Sequence, residues 1–181
     1  PETFTENKLI LPLLEAVNLK YKQQPHGQSG ARSRWPDFGI TNLNEYVVGE
    51  SKPLNNVDEA KDQVTEYLDS ISIGADYGIA TDGIRWSLYT VERGGDVTEF
   101  PQIKSINLQQ LLFQIARENG FVNSASLTGT DTDSTEIIQE FVDIFEQEEF
   151  NSVISVEAPQ IIRNRRKRDI EEFYDLYIEL L

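Results

Sequence analysis

"WPDFGITNLNEYVVGESK", residues 35–52, sets one aspartate and one glutamate into stretches apolar enough for a sheet interior. Asp37 lies between Pro36 and Phe38, and Glu50 follows "YVVG". A carboxylate buried in a strand costs several kcal/mol unless it is paired or binds a metal. The pattern predicts strands near 36–41 and 45–52, and the "NLNE" link is short enough to make them an antiparallel hairpin. Side chains alternate along a strand, so Glu50 and Lys52 share a face while Ser51 points away. The hairpin then folds Asp37 back toward Glu50. Two carboxylates and an ammonium would converge, and oxygen ligands of this kind suit Mg²⁺ or Mn²⁺ rather than zinc. A cation held there can polarise a phosphoryl oxygen and supply a nucleophile, with Lys52 neutralising developing charge. That is machinery for phosphodiester hydrolysis. The plainer alternative is an exposed Glu/Lys salt bridge on a strand.

On either side of the hairpin the periodicity predicts further elements. "TENKLILPLLEAVNL" (5–19) reads as a helix capped by Thr5, with Ile10, Leu13 and Val17 as its stripe, Leu9 and Leu14 at the flanks, and a kink at Pro12. A short strand near 19–23 leads into the polar loop "QQPHGQSGARSR", which carries His26, Arg32 and Arg34. "NNVDEAKDQVTEYLDSIS" is the clearest helix, with Val57, Ala60, Val64, Tyr67, Leu68 and Ile71 on one face and Asn56 as cap. "YGIATDGIRWSLYTVER" predicts two strands around an Asp82-Gly83 turn. A further strand is expected near 96–104, then a helix over "NLQQLLFQIARENG" ended by its glycine. "STEIIQEFVDIFEQEEF" reads as a helix led by Asp133, with Glu136 at capping-box spacing. "SVISV" reads as a strand, and the end of the chain as a helix with Pro159 in its first turn. The resulting order, α-β-β-β-α-β-β with a helical C-terminal part, predicts an α/β domain: a mixed sheet flanked by helices.

Composition narrows the function. The chain of 181 residues has no Cys, which excludes disulfides, zinc ribbons and thiol nucleophiles, and its single His excludes chemistry needing a His pair. His26 in its loop reads as solvated. No apolar run approaches the roughly 18 residues of a membrane span, and the start has no signal-peptide pattern, so a cytoplasmic location is expected. The lack of any Met suggests a fragment or a processed chain. The net charge of −15 would ordinarily argue against a polyanionic partner. However, residues 163–168, "RNRRKR", hold five of the 16 cations, and the even acid excess elsewhere looks like a halophilic surface, from a high-salt cytoplasm. An ordinary acidic domain is the alternative.

Two further features bear on the hairpin. In "QVTEY", Gln63 falls between Ala60 and Tyr67 on the buried side of its helix, where an aliphatic would be expected, so it reads as a hydrogen-bonding residue beside the hairpin or as the polar edge of the stripe. Glu6 shares the stripe of Ile10, Leu13 and Val17, which aims an acid at the carboxylate pair; its place in a first turn is equally explained by the helix dipole.

With these residues in view, "PDF…GESK" resembles the signature of the PD-(D/E)XK nuclease superfamily, Asp37, Glu50 and Lys52 matching its Asp, Glu and Lys. "QVTEY" resembles the Gln-x-x-x-Tyr motif of type I restriction subunits and RecB-like nucleases. "ENKLILPLL" is similar to the first helix of restriction N-terminal domains, whose acid falls on Glu6. "GIATDGIRWSLY" looks like their "TNG…W" hairpin, with Asp82 where Asn is usual. The resemblance covers about residues 5–91 and implies a restriction-endonuclease-like core cleaving DNA with Mg²⁺ (Mn²⁺ as alternative). Asp37, Glu50, the Ser51 carbonyl and Glu6 would be metal ligands. Lys52 would act on the nucleophile and transition state, and Gln63 and Tyr67 would orient the site or contact a phosphate. Arg32 and Arg34 would hold the DNA backbone or simply be solvated. It further implies a nuclease domain over 1–158, with a helical extension at about 105–150. Residues 159–181 would then connect to a downstream helicase or methyltransferase, through an apolar face of Ile170, Phe173, Tyr174 and Tyr177. Two other readings stay open: a non-catalytic docking or assembly module on the same fold, and a repair or RNA nuclease.

Overall fold

The computed structural model describes residues 2–23, 35–94, 97–121 and 134–179. Helix α1 runs through residues 2–16 as an α-helical start (Glu2–Thr5), a π-helical turn (Glu6–Ile10) and a second α-helical part (Leu11–Ala16). Strands β1 (Tyr21–Gln23), β2 (Phe38–Ile40) and β3 (Val47–Ser51) follow, then helix α2 (Val57–Asp69). Strands β4 (Tyr77–Thr81), β5 (Arg85–Thr90) and β6 (Gln102–Asn107) complete the sheet. Helices α3 (Gln109–Glu118) and α4 (Ser134–Phe145) precede α5, which spans 147–179 with a π-helical stretch at Val153–Glu157.

The six strands lie in sequence order, β1 to β6. All neighbours are antiparallel except β3 and β4, which run parallel because α2 carries the chain back across the sheet. Alternation along the strands gives the sheet two apolar faces. On one, Phe38, Ile40, Val47, Ile79, Trp86 and Leu88 meet Ile10 and Leu14 of α1 and Phe141, Phe145 and Phe150 of α4 and α5. Trp86 is edge-on to Phe141 at 5.2 Å between ring centroids, a favoured aromatic arrangement. On the other, Val48, Ala80 and Tyr89 are covered by Ala60, Val64, Tyr67 and Leu68 of α2. The helix lies close on β4 because Gly78 has no side chain; a Cβ there would stand 2.4 Å from a Val64 methyl. No described helix is long and apolar enough to cross a membrane.

The structure departs from the sequence reading at particular points. Helix α1 starts at Glu2 rather than Thr5, which is buried inside it. Pro12 has no N–H to give to the preceding turn, and the π-helical turn just before it absorbs an extra residue. That rotates the following turn, so Leu14 rather than Leu13 joins Ile10 in the core. Ile71 is 91 % exposed, because α2 ends at Asp69 and Ser70 is already extended. Strand β6 begins at Gln102, after Pro101, rather than near 96; a proline cannot donate to the ladder. "SVISV" is helical, not a strand: Val153 and Ile154 pack beside Phe150 in the core, and burial overrides β-branched propensity. The helix expected over 134–150 breaks at Glu146, whose extended backbone lets its side chain accept from the Glu148 N–H and cap α5. His26, Arg32, Arg34 and Asp133 lie outside the described residues.

Candidate metal centre

The hairpin register pairs Phe38 with Gly49, which sets Asp37 beside Glu50 at the open end of β2 and β3. Gly49 makes this possible. The Phe38 ring lies over it, and a Cβ at 49 would fall 2.1 Å from that ring. Val47 belongs to one core and Val48 to the other, so Glu50 and Lys52 project on the α2 side.

The side chains there are tied to one another by hydrogen bonds. The backbone N–H and the hydroxyl of Ser51 both donate to Asp37 Oδ2, at 2.8 and 2.9 Å. Lys52 Nζ donates to Glu50 Oε1 at 2.6 Å and to Glu2 Oε1 at 3.2 Å. The Tyr67 hydroxyl reaches Glu50 Oε2 at 2.9 Å and the Trp35 carbonyl at 3.1 Å. Carboxylate oxygens of Glu2, Asp37 and Glu50 lie within 4.8 Å of one another. Glu50, Ser51 and Lys52 are buried. Beyond Lys52, Asp82 fixes the next loop: it accepts from the Asn55, Ile84 and Arg85 backbone N–H groups and pairs with the Arg85 guanidinium.

Electrostatics follow from this burial. Burial first, and then the neighbouring Asp37 charge, push Glu50 up to about 7 over the opposing pull of Lys52 and Tyr67. Burial also raises Asp37, despite both Ser51 hydrogen bonds. For Lys52 burial acts downward, yet the hydrogen bond and charge of Glu50, then those of Glu2, outweigh it and hold the ammonium above the usual lysine value. Three carboxylates therefore face one ammonium, and two of the three resist ionising. A hard divalent cation would relieve that imbalance, and an all-oxygen donor set is what Mg²⁺ or Mn²⁺ takes, so the residues present fit such an ion.

The acid that α1 brings to this cluster is Glu2. It stands four residues before Glu6 and on the same side of the helix, a spacing visible in the sequence but hidden by starting the helix at Thr5. Glu6 is buried and accepts from Gln23 Nε2 at 3.1 Å. Gln63 is half-buried one turn before Tyr67 and makes no hydrogen bond to another described residue. The Tyr67 hydroxyl, in contrast, is part of the cluster.

The mixed sheet with helices on both faces matches a restriction-endonuclease-like α/β arrangement. The whole chain is similar, at 28 % identity over 186 aligned residues, to a protein of Methanocaldococcus jannaschii named "Putative type II restriction enzyme and methyltransferase". The match spans 15 % of that relative's length. No protein-family model and no solved structure matches the chain.

Proposed function

We propose that this chain is the nuclease part of a restriction-modification enzyme, a PD-(D/E)XK-type domain that hydrolyses phosphodiester bonds in DNA with Mg²⁺, or Mn²⁺ in its place. The observation that carries the reading is the convergence of Glu2, Asp37 and Glu50 with Lys52 at the end of the hairpin. The restriction-enzyme relative supports the substrate and the class of system. Its double name, and the small share of it that this chain spans, favour a methyltransferase over a helicase as the remainder of the enzyme.

Asp37, Glu50 and Glu2 would hold the cation, with the Ser51 carbonyl as a further ligand. The bound ion supplies Lewis-acid stabilisation of phosphate charge and lowers the pKa of attacking water. Tyr67 holds the orientation of Glu50 through its Oε2, and Oε1, now on Lys52, would be the oxygen offered to the ion. Lys52 would place its ammonium where it stabilises the charge that develops on the phosphate only during attack. The buried apolar surroundings of Glu50 keep this charge pairing strong. The test is plasmid cleavage by the wild-type chain and by Asp37→Ala, with Mg²⁺, with Mn²⁺ and with EDTA. Metal-dependent cleavage that disappears in Asp37→Ala is expected. Cleavage by Asp37→Ala at the wild-type rate would refute the site.

A further inference from the structure

The three carboxylates are not held alike. Lys52 Nζ engages Glu2 and Glu50 together, and Tyr67 takes the second oxygen of Glu50. Asp37 has no contact of this kind with Lys52; its Oδ2 receives both donors of one residue, Ser51, whose side chain is fully buried. Two hydrogen bonds on one oxygen fix both the position and the rotation of a carboxylate. They also leave the other oxygen, Oδ1, with no hydrogen bond from a described residue.

From this asymmetry we propose that Ser51 is a positioning residue for metal binding, acting through its hydroxyl rather than only through its place between Glu50 and Lys52. It holds Asp37 with Oδ1 presented to the cluster before any cation arrives. Glu50 has both oxygens engaged, by Lys52 and by Tyr67, and Glu2 is held by a single 3.2 Å contact with Lys52, whereas Asp37 is fixed by two hydrogen bonds and still offers Oδ1. Asp37 is therefore the preformed ligand and Ser51 is what preforms it. The backbone N–H alone would leave the carboxylate free to rotate about one hydrogen bond, so the hydroxyl carries the orientation. The proposal rests on the metal reading above and adds to it a residue whose side chain touches neither ion nor DNA.

Outer-shell partners of ligating carboxylates typically contribute about 10–100-fold in metal affinity. The backbone donor survives substitution here, so Ser51→Ala should weaken Mn²⁺ binding by roughly tenfold. The experiment is Mn²⁺ titration of the full chain without DNA, followed by paramagnetic resonance of free and bound ion. It compares wild type, Ser51→Ala, Ser51→Thr and Asp37→Ala, with melting curves of each in EDTA. Expected are a site lost in Asp37→Ala, weakened in Ser51→Ala at a near wild-type melting temperature, and restored in Ser51→Thr, which keeps the hydroxyl. If Ser51→Ala does not fold, Ser51→Cys, close in shape but a weak donor, makes the same comparison. Equal Mn²⁺ affinity in wild type and the hydroxyl-less variant, with Asp37→Ala still dead, would overturn the role of Ser51 and leave the metal site standing. A wild-type chain that binds no Mn²⁺ would overturn both.

Discussion

In the absence of a divalent cation, Glu50 weakens the fold above neutral pH, and replacing it by Gln should remove that weakness. Glu50 is 3 % exposed, and burial pushes its carboxyl up to about 7 from its ordinary value of 4.5. That difference corresponds to about 3 kcal/mol. The sign follows from the direction. Because the folded-state value is the higher one, stability is fully present below pH 4.5 and is lost as pH rises through about 7. Asp37 is raised as well and acts in the same direction. Gln imitates the protonated acid: its carbonyl oxygen can still accept from Tyr67 or Lys52, and Lys52 keeps Glu2 at 3.2 Å.

Urea melts in EDTA near pH 5 and near pH 8 test this. The wild type should lose about 3 kcal/mol between them, and Glu50→Gln should be the more stable of the two at the higher pH. Saturating Mg²⁺ should restore the wild type, because an ion that binds only the folded state stabilises it. It should do little for Glu50→Gln, which lacks a charged ligand. If Glu50→Gln in EDTA near pH 8 is no more stable than wild type, the burial argument for this carboxylate is wrong.

Other substitutions probe other parts of the argument. Lys52→Ala should slow single-turnover cleavage by roughly a hundred- to a thousandfold while weakening DNA binding far less, and Lys52→Arg, planar and bulkier, should not restore the rate; an unchanged rate in Lys52→Ala would contradict the role given to it. Gly49→Ala should cost about 1–3 kcal/mol in a urea melt, because the new methyl must displace the Phe38 ring 2.1 Å away. It should also weaken Mn²⁺ binding, since Asp37 precedes Phe38. Ending the chain after residue 162 should preserve the fold with a loss of about 1 kcal/mol, because what is removed makes exposed ion pairs such as Arg165 with Glu99. A cooperative collapse of that truncated chain would show that the final helix is part of the core.

The sheet was legible because local rules and burial agree there. "PDFGI" and "YVVGES" are short apolar runs buried on both faces, their link is short, and α2 carries an apolar stripe that tertiary packing did not overrule. The nearness of Asp37, Glu50 and Lys52 was legible for the same reason, since strand geometry brings them together. Helix α1 was less so. A proline reads as a kink, but the sequence does not say that the chain will absorb it as a π-helical turn, and that one extra residue decides whether Leu13 or Leu14 is buried. Glu2 was missed because a Thr looks like a cap wherever it precedes an apolar run, although Thr5 has helical backbone angles here. "SVISV" misled because three β-branched residues in five carry no sign that an aromatic core will hold them as helix. The hydroxyl of Ser51 had no sequence signal at all: alternation points it away from Glu50, yet it reaches Asp37 Oδ2 at 2.9 Å.

The same geometry bears on how so acidic a chain, at −15, would take a polyanion. The cluster sets three carboxylates against one ammonium, an excess of negative charge where the proposed nuclease would have to bring a phosphate. Lys52 cannot attract that phosphate while Glu50 and Glu2 occupy it. On the proposed reading one divalent ion would cancel the excess, so cation binding should precede productive DNA binding. DNA affinity of wild type should therefore rise when EDTA is replaced by Mg²⁺ under conditions too brief for cleavage. Glu50→Gln, with one charge fewer, should bind DNA in EDTA more tightly than wild type does. Measured by fluorescence anisotropy at fixed ionic strength, equal affinities for wild type and Glu50→Gln in EDTA would show that the cluster charge does not control the approach of the phosphate, and the order of binding argued from it would fall.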